Sequence, residues 1–148
     1  MKEIFVSHSL KDTTRIAKEV ARELTRSTKH PLVVALKGDL GASKTTFTKA
    51  FLRGLGVRAT VISPTFVLMK EYTLTKRNYK RAYHIDVYRL RRPVEIFPLF
   101  LTDLLKERSS IIIIEWADKI KKRLPAHAIW ITFKHGKKEN ERIIELVI

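Results

Sequence analysis

The sequence predicts an α/β fold on three observations. Two continuous apolar runs of strand length, Leu32-Val33-Val34-Ala35-Leu36 and Ile111-Ile112-Ile113-Ile114, read as strands buried on both faces, the pattern of parallel sheets. Two other segments, Ile16 to Leu24 and Phe47 to Leu55, repeat apolar residues at helical spacing. Alternating runs within 66–88 and 128–147, each split by a polar turn, read as antiparallel hairpins.

The elements follow in chain order. Ile4-Phe5-Val6 begins a short strand, and Ser9 caps a helix whose one face carries Ile16, Ala17, Val20, Ala21 and Leu24. Thr28-Lys29-His30-Pro31 breaks that helix before the run 32–36. From Lys44, Phe47, Ala50, Phe51 and Leu55 keep helical spacing until Gly54 and Gly56 end it. Thr60-Val61-Ile62 reads as a short strand, after which Ser63-Pro64-Thr65-Phe66 bends away, because Pro64 fixes its own φ and holds Ser63 extended. In the hairpin 66–88, Tyr83, Ile85 and Val87 share one face, and Ala82, His84, Asp86 and Tyr88 the other. Pro93 suits the first turn of a helix carrying Ile96, Phe97, Leu99, Phe100, Leu104 and Leu105, with Pro98 as a kink. The isoleucine run must be a central strand and delivers Glu115 to its C-terminal end, where ligands collect in open α/β sheets. Asp118 to Leu124 makes a short basic helix stopped by Pro125, and 128–133 with 142–147 form a closing hairpin.

Length bounds the chain to a single domain spanning 1–148, large enough to bury about 68–70% of its unfolded surface. With no cysteine it has neither disulfides nor thiolate metal ligands. No apolar run approaches the ~18 residues of a membrane span, and Met1-Lys2-Glu3-Ile4 lacks the apolar core of a signal peptide. A soluble cytoplasmic protein with no membrane role is expected. Lys+Arg minus Asp+Glu is 30 − 15 = +15, an excess that attracts polyanions. The densest basic block runs from Lys70 to Arg92, and a second is Lys119, Lys121, Lys122 and Arg123. Two readings of this charge stay open: a solvated basic face, or a footprint for RNA.

Between the first apolar strand and the second helix lies Gly38-Asp39-Leu40-Gly41-Ala42-Ser43-Lys44-Thr45. It follows the phosphate-loop pattern, Gly, four residues, then Gly-Lys-Ser/Thr, except that Ser43 stands in place of the second Gly. In such loops backbone N–H groups close around a polyphosphate, the lysine lies against its β- and γ-phosphates, and the hydroxyl reaches Mg²⁺. Strand, loop and helix in this order supply the helix N-terminus that an anion needs. Lys44 is therefore read as the phosphate contact, Thr45 as a Mg²⁺ ligand and Glu115 as the acidic metal partner. Asp86 either holds a metal-bound water, activates a nucleophile or pairs with an arginine. Thr65, on the proline-stiffened bend, is placed to sense the γ-phosphate or Mg²⁺. Trp116, next to Glu115, is read as bordering the nucleotide pocket, and Trp130 as core.

Taken together, these segments resemble the TsaE family, small bacterial ATPases needed to make threonylcarbamoyladenosine beside the tRNA anticodon. The resemblance rests on 38–47, ending Thr45-Thr46-Phe47, on Ser63-Pro64-Thr65-Phe66 with Glu71-Tyr72, on His84-Ile85-Asp86-Val87-Tyr88-Arg89-Leu90, and on Ile114-Glu115-Trp116. It implies a P-loop NTPase-like three-layer sandwich with a mixed, partly antiparallel central sheet, ATP and Mg²⁺ as cofactors, and weak ATPase activity alone. It also implies work inside a complex with the TsaB and TsaD proteins, with TsaD performing the carbamoyl transfer. By position, Gly38, Asp39, Leu40, Gly41, Ala42, Ser43, Lys44, Thr45 and Thr46, with Trp116, would bind nucleotide. Lys44, Thr65, Asp86 and Glu115 would be catalytic, and Thr45, Asp86 and Glu115 would hold the metal.

Two departures stand out. A side chain at Ser43 crowds a position that needs close phosphate approach and a φ suited to glycine, a strain of about 1–3 kcal/mol. The net charge exceeds what the family leads one to expect and adds weight to direct tRNA contact. Two other functions share the loop: a nucleotide-binding scaffold with little ATPase activity, and a small-molecule kinase using Asp86 as base.

Overall fold

The structure, a computed structural model, describes residues 1–26, 31–39, 41, 43–61, 69–75, 78–88 and 101–148. Among them the chain forms β1 (Lys2–Ser7), α1 (Leu10–Leu24), β2 (Leu32–Gly38), α2 (Lys44–Gly54), β3 (Met69–Thr73), β4 (Arg81–Asp86), β5 (Ser110–Glu115), a 3₁₀ helix (Ala117–Arg123), β6 (Ile129–His135) and β7 (Arg142–Val147). The strands make one seven-stranded sheet in the order β1-β7-β6-β2-β5-β4-β3. Strands β6, β2, β5 and β4 run parallel, whereas β3 and β7 are antiparallel to their neighbours. The sheet is thus mixed, as the resemblance implies.

Alternation explains the layers. In β2, Val34 and Leu36 face one core and Val33 and Ala35 the other; in β5, Ile111 and Ile113 join the first and Ile112 and Ile114 the second. Every residue of β5 is buried, the signature of a strand covered on both faces. Helices α1 and α2 cover the first face, and α1 buries Ile16, Ala17, Val20, Ala21 and Leu24 as the periodicity requires. The second face packs on the 3₁₀ helix through Ala117 and Ile120, and on Leu101 and Leu104 of the helical turns at 101–104. Ser9 Oγ accepts the Asp12 N–H at 3.0 Å while an Asp12 oxygen accepts the His8 N–H at 3.0 Å, so α1 starts where its cap predicts. Helix α2 closes with Gly56 N–H on the Arg53 carbonyl and Val57 N–H on that of Leu52, a Schellman ending.

Three expectations need correction or narrowing. Thr60 and Val61 are not in a strand, and Ile62 lies outside the described residues. Val57 and Val61 enter the core at 4% and 5% exposure from irregular chain, so their β-branching serves packing and not a ladder. The expected basic helix is 3₁₀ and begins at Ala117, with Ile120 at φ −124°, because the turn leaving β5 is tight and Pro125 follows closely. Of the expected hairpin, the described first strand is Met69–Thr73, and 66–68 lie outside the described residues. The bend carrying Thr65, the helix onset at Pro93 and most of the basic block near Arg89 to Arg92 lie outside the described residues.

Phe51 is fully buried in the core that α2 shares with the sheet, with its ring centroid 6.0 Å from that of Phe47, whose ring meets Phe133 of β6 at 5.2 Å. Phe51→Ala should lower the unfolding free energy by about 3–5 kcal/mol. Urea denaturation checks this; a loss under ~1 kcal/mol would mean that α2 is held mainly by something other than this packing.

Candidate functional site

Strands β2, β5 and β4 end side by side, with Leu36 opposite Glu115 and Glu115 opposite Asp86. The loop after β2 sits on this C-terminal edge. Gly38, at φ 145°, begins it under a double constraint, since a Cβ there would lie 2.2 Å from the Phe133 carbonyl oxygen of β6. Asp39 and Gly41 are exposed, and Leu40 and Ala42 lie outside the described residues. Ser43 caps α2 at φ 79°, ψ 19°, with no hydrogen bond from its side chain to the helix. A left-handed residue with a Cβ costs about 1–2 kcal/mol, so the strain read from the sequence is present in the backbone. The Phe47 N–H reaches the Ser43 carbonyl at 2.9 Å as the first helical bond of α2. Lys44, Thr45 and Thr46 precede it, so their N–H groups have no intrahelical acceptor and carry the positive end of the helix dipole.

Lys44 is 5% exposed. Its ammonium donates to the carbonyls of Gly38 at 2.8 Å and Asp39 at 2.7 Å, and lies 4.0 Å from the centroid of the Trp116 ring. Burial holds its pKa below the ordinary lysine value against the opposing pull of Glu115, Asp118, Asp39 and Asp86, in that order. The site is therefore one partly desolvated cation among several carboxylates.

Glu115, 1% exposed, is held from two sides. The Thr45 hydroxyl donates to Oε1 at 2.9 Å, and His84 Nε2 lies 2.5 Å from Oε2. His84 is fully buried, and its Nδ1 has no hydrogen-bond partner among the described residues. Asp86, half-buried, accepts the Tyr88 N–H at 2.9 Å through Oδ1. Past Glu115 the chain turns through Trp116 at φ 60°, ψ 36°. The Trp116 ring packs 4.7 Å from that of Tyr88, and Lys119 donates to the Tyr88 carbonyl at 2.6 Å. Ser43 and Trp116 are the non-glycine residues with positive φ among those described, and both border this site. Backbone strain concentrated this way marks functional regions.

The structure thus brings together Lys44, Thr45, Asp86, Glu115 and Trp116, with Gly38, Asp39, Gly41, Ser43 and Thr46 around them. It leaves Thr65, Leu40 and Ala42 undescribed. His84 was missed as a site residue, although its place two residues before Asp86 on an alternating strand put both on one face. Tyr88 and Lys119, which brace Trp116, were likewise read only as strand and charge.

The donor set fits Mg²⁺. It is oxygen only, from the Thr45 hydroxyl and Glu115 with Asp86 adjacent, and Mg²⁺ takes one or two carboxylates and completes its octahedron with phosphate and water. Among the described residues no three His, Cys, Asp or Glu side chains form a metal cage.

Comparison with known proteins agrees with this geometry. Residues 7–144 match the family described as "Threonylcarbamoyl adenosine biosynthesis protein TsaE". The tRNA threonylcarbamoyladenosine biosynthesis protein TsaE of Haemophilus influenzae is 37% identical over 90% of this chain and 81% of its own. The protein of that name from Bacillus subtilis is 39% identical over 75% of this chain and 66% of its own. The crystal structure of Bacillus subtilis YdiB superposes with a TM-score of 0.74 at 33% identity, covering 99% of this chain and 84% of that one, and shows the P-loop NTPase-like fold.

Lys44 generates a pH prediction. With its folded pKa below the ordinary 10.5, the unfolded chain holds the extra proton in the interval beneath that value, so Lys44 makes stability rise with pH there. Tyr79 and Tyr83, pushed up by burial, oppose this at still higher pH, because the unfolded hydroxyls ionise first. Lys44→Met should remove the rise while leaving the tyrosine-driven fall. Urea midpoints of both proteins across the alkaline range test it, and a difference that does not change with pH would refute it.

Proposed function

The chain belongs to the TsaE family, and on that premise we propose that it binds and hydrolyses Mg²⁺-ATP at the loop 38–45, as the ATP-driven partner in threonylcarbamoyladenosine modification of tRNA. The family serves tRNA threonylcarbamoyladenosine biosynthesis. The observation that carries the nucleotide reading is the 2.9 Å bond from Thr45 at the start of α2 to Glu115 at the end of β5. It joins a helix N-terminus able to bind phosphate to a carboxylate able to bind metal.

In this reading the N–H groups of Lys44, Thr45 and Thr46 bind phosphate oxygens. Lys44 turns from the Gly38 and Asp39 carbonyls to the β- and γ-phosphates. Thr45 and Glu115 would hold the magnesium, which neutralises phosphate charge when bound. Asp86 orients the attacking water, and Thr65 is assigned the sensing role. Trp116 walls the pocket beside Lys44. Hydrolysis is slow in the isolated chain and is coupled to turnover of the TsaB–TsaD complex. The basic surface makes direct contact with tRNA.

One observation favours a second reading. Ser43 at φ 79° places a Cβ and hydroxyl where the phosphate approaches, which suits a nucleotide-binding scaffold with little turnover. Ser43→Gly separates the two. It relieves about 1–2 kcal/mol of left-handed strain while adding ~0.5–1 kcal/mol of unfolded-state entropy, so stability changes little and any effect on turnover is local. A several-fold faster ATPase in the Ser43→Gly protein indicates a loop handicapped by its serine, and an unchanged rate removes that argument.

Calorimetry with ATP should show binding strengthened by Mg²⁺ in the wild type. Thr45→Ala should abolish that strengthening, and Lys44→Met should lower the hydrolysis rate by about 10²-fold or more. Adding TsaB and TsaD should raise phosphate release. No binding at millimolar ATP would sink the proposal. Affinity for tRNA should fall steeply with salt, because phosphate contacts release counterions; salt-independent or absent binding would reduce the basic surface to a solubility feature.

A further inference from the structure

We infer that His84 is the positioning residue of the metal side of this site, a buried imidazole that fixes the rotamer of Glu115 and, through it, the direction of the Thr45 hydroxyl. The inference rests on the Mg²⁺-ATP reading and assigns a role to a side chain that the reading itself does not use.

The geometry is a chain of two contacts. Nε2 of His84 lies 2.5 Å from Oε2 of Glu115, and Oε1 of the same carboxylate accepts from Thr45 at 2.9 Å. The imidazole therefore occupies one carboxylate oxygen and leaves the other facing α2. His84 is 0% exposed and Glu115 1%, so no solvent competes for either contact. Two features mark the ring as held for this purpose. Its Nδ1 is buried without a partner among the described residues, so the contact that orients it is the one to Glu115. A histidine kept dry with one nitrogen unsatisfied also costs stability, which an aliphatic residue on this isoleucine-rich sheet would avoid.

The backbone makes the arrangement rigid. His84 pairs with Ile113 and Asp86 with Glu115 across parallel strands, so His84 and Asp86 lie on one face and approach Glu115 diagonally and directly. Partners that orient a metal-binding carboxylate tune metal affinity, and removing one typically costs about 10–100-fold.

The test uses the full-length chain and measures ATP binding by calorimetry with and without Mg²⁺. The readout is the ratio of the two affinities. In His84→Leu this ratio should fall at least about ten-fold, while the Mg²⁺-free affinity changes by less than ~two-fold. His84→Gln should recover the ratio, because its terminal amide reaches the place of Nε2. His84→Asn should not, because its amide stops at the place of Nδ1. Should the leucine variant fail to fold by circular dichroism, the glutamine and asparagine pair carries the same contrast. A ratio unchanged in His84→Leu, equal losses with and without Mg²⁺, or equal ratios in the glutamine and asparagine variants would overturn the inference. If the wild type itself shows no strengthening by Mg²⁺, the metal-nucleotide reading fails first, and the two failures remain distinct.

Discussion

A carboxylate with no access to water is the constraint around which this molecule is built. Glu115 ends the most buried strand of the sheet at 1% exposure, where an unpaired charge would destabilise the fold strongly. It is met by Thr45 from α2 and His84 from β4, so a helix and two strands must arrive at one point together. The isoleucine run of β5 secures that arrival. Each residue on it has a parallel partner in β2 and β4, and a slip of one position would turn Glu115 into the opposite core.

The charge of the chain and that of the site have opposite local character. The molecule carries +15 overall, yet Lys44 is surrounded by Glu115, Asp118, Asp39 and Asp86. A distant field of one sign draws polyanions in, and a centre of the other sign favours those that bring a cation with them. Trp116 completes this balance. Its ring lies over the Lys44 ammonium, and Tyr88 and Lys119 pack against it above the left-handed backbone of Trp116.

The fold was legible where periodicity and punctuation agree. The capped α1, the apolar run of β2, the loop, α2, the isoleucine strand and both hairpins are all short-range patterns. Thr60 and Val61 were misread because β-branching reports a need for packing as readily as a ladder. At the site, the Lys44, Thr45 and Glu115 positions could be read because loop spacing and strand ends are local features. The role of His84 could not, since it arises from a contact with Glu115 on the neighbouring strand, and the spacing His84-x-Asp86 puts the two on one face without naming that partner. Trp116 was placed at the pocket by its neighbour Glu115, but its contact with the Lys44 ammonium belongs to the three-dimensional arrangement alone. Ser43 was read correctly as strained, since a loop of this spacing needs a left-handed residue there whatever its side chain.

The loop's small residues are not equivalent. At 38 both the dihedral and the β6 carbonyl exclude any side chain, at 41 only the dihedral matters because nothing among the described residues lies within 4 Å, and at 43 a serine is carried at a left-handed cost of about 1–2 kcal/mol. Natural variation in such loops should follow this ranking of permitted space. Substitutions would accumulate first at the helix entrance, then at the middle of the turn, and last at the strand exit. Descendants could then lose the familiar signature while keeping its architecture, which makes the steric clearance above β6 a more durable marker of ancestry than the glycine pattern itself.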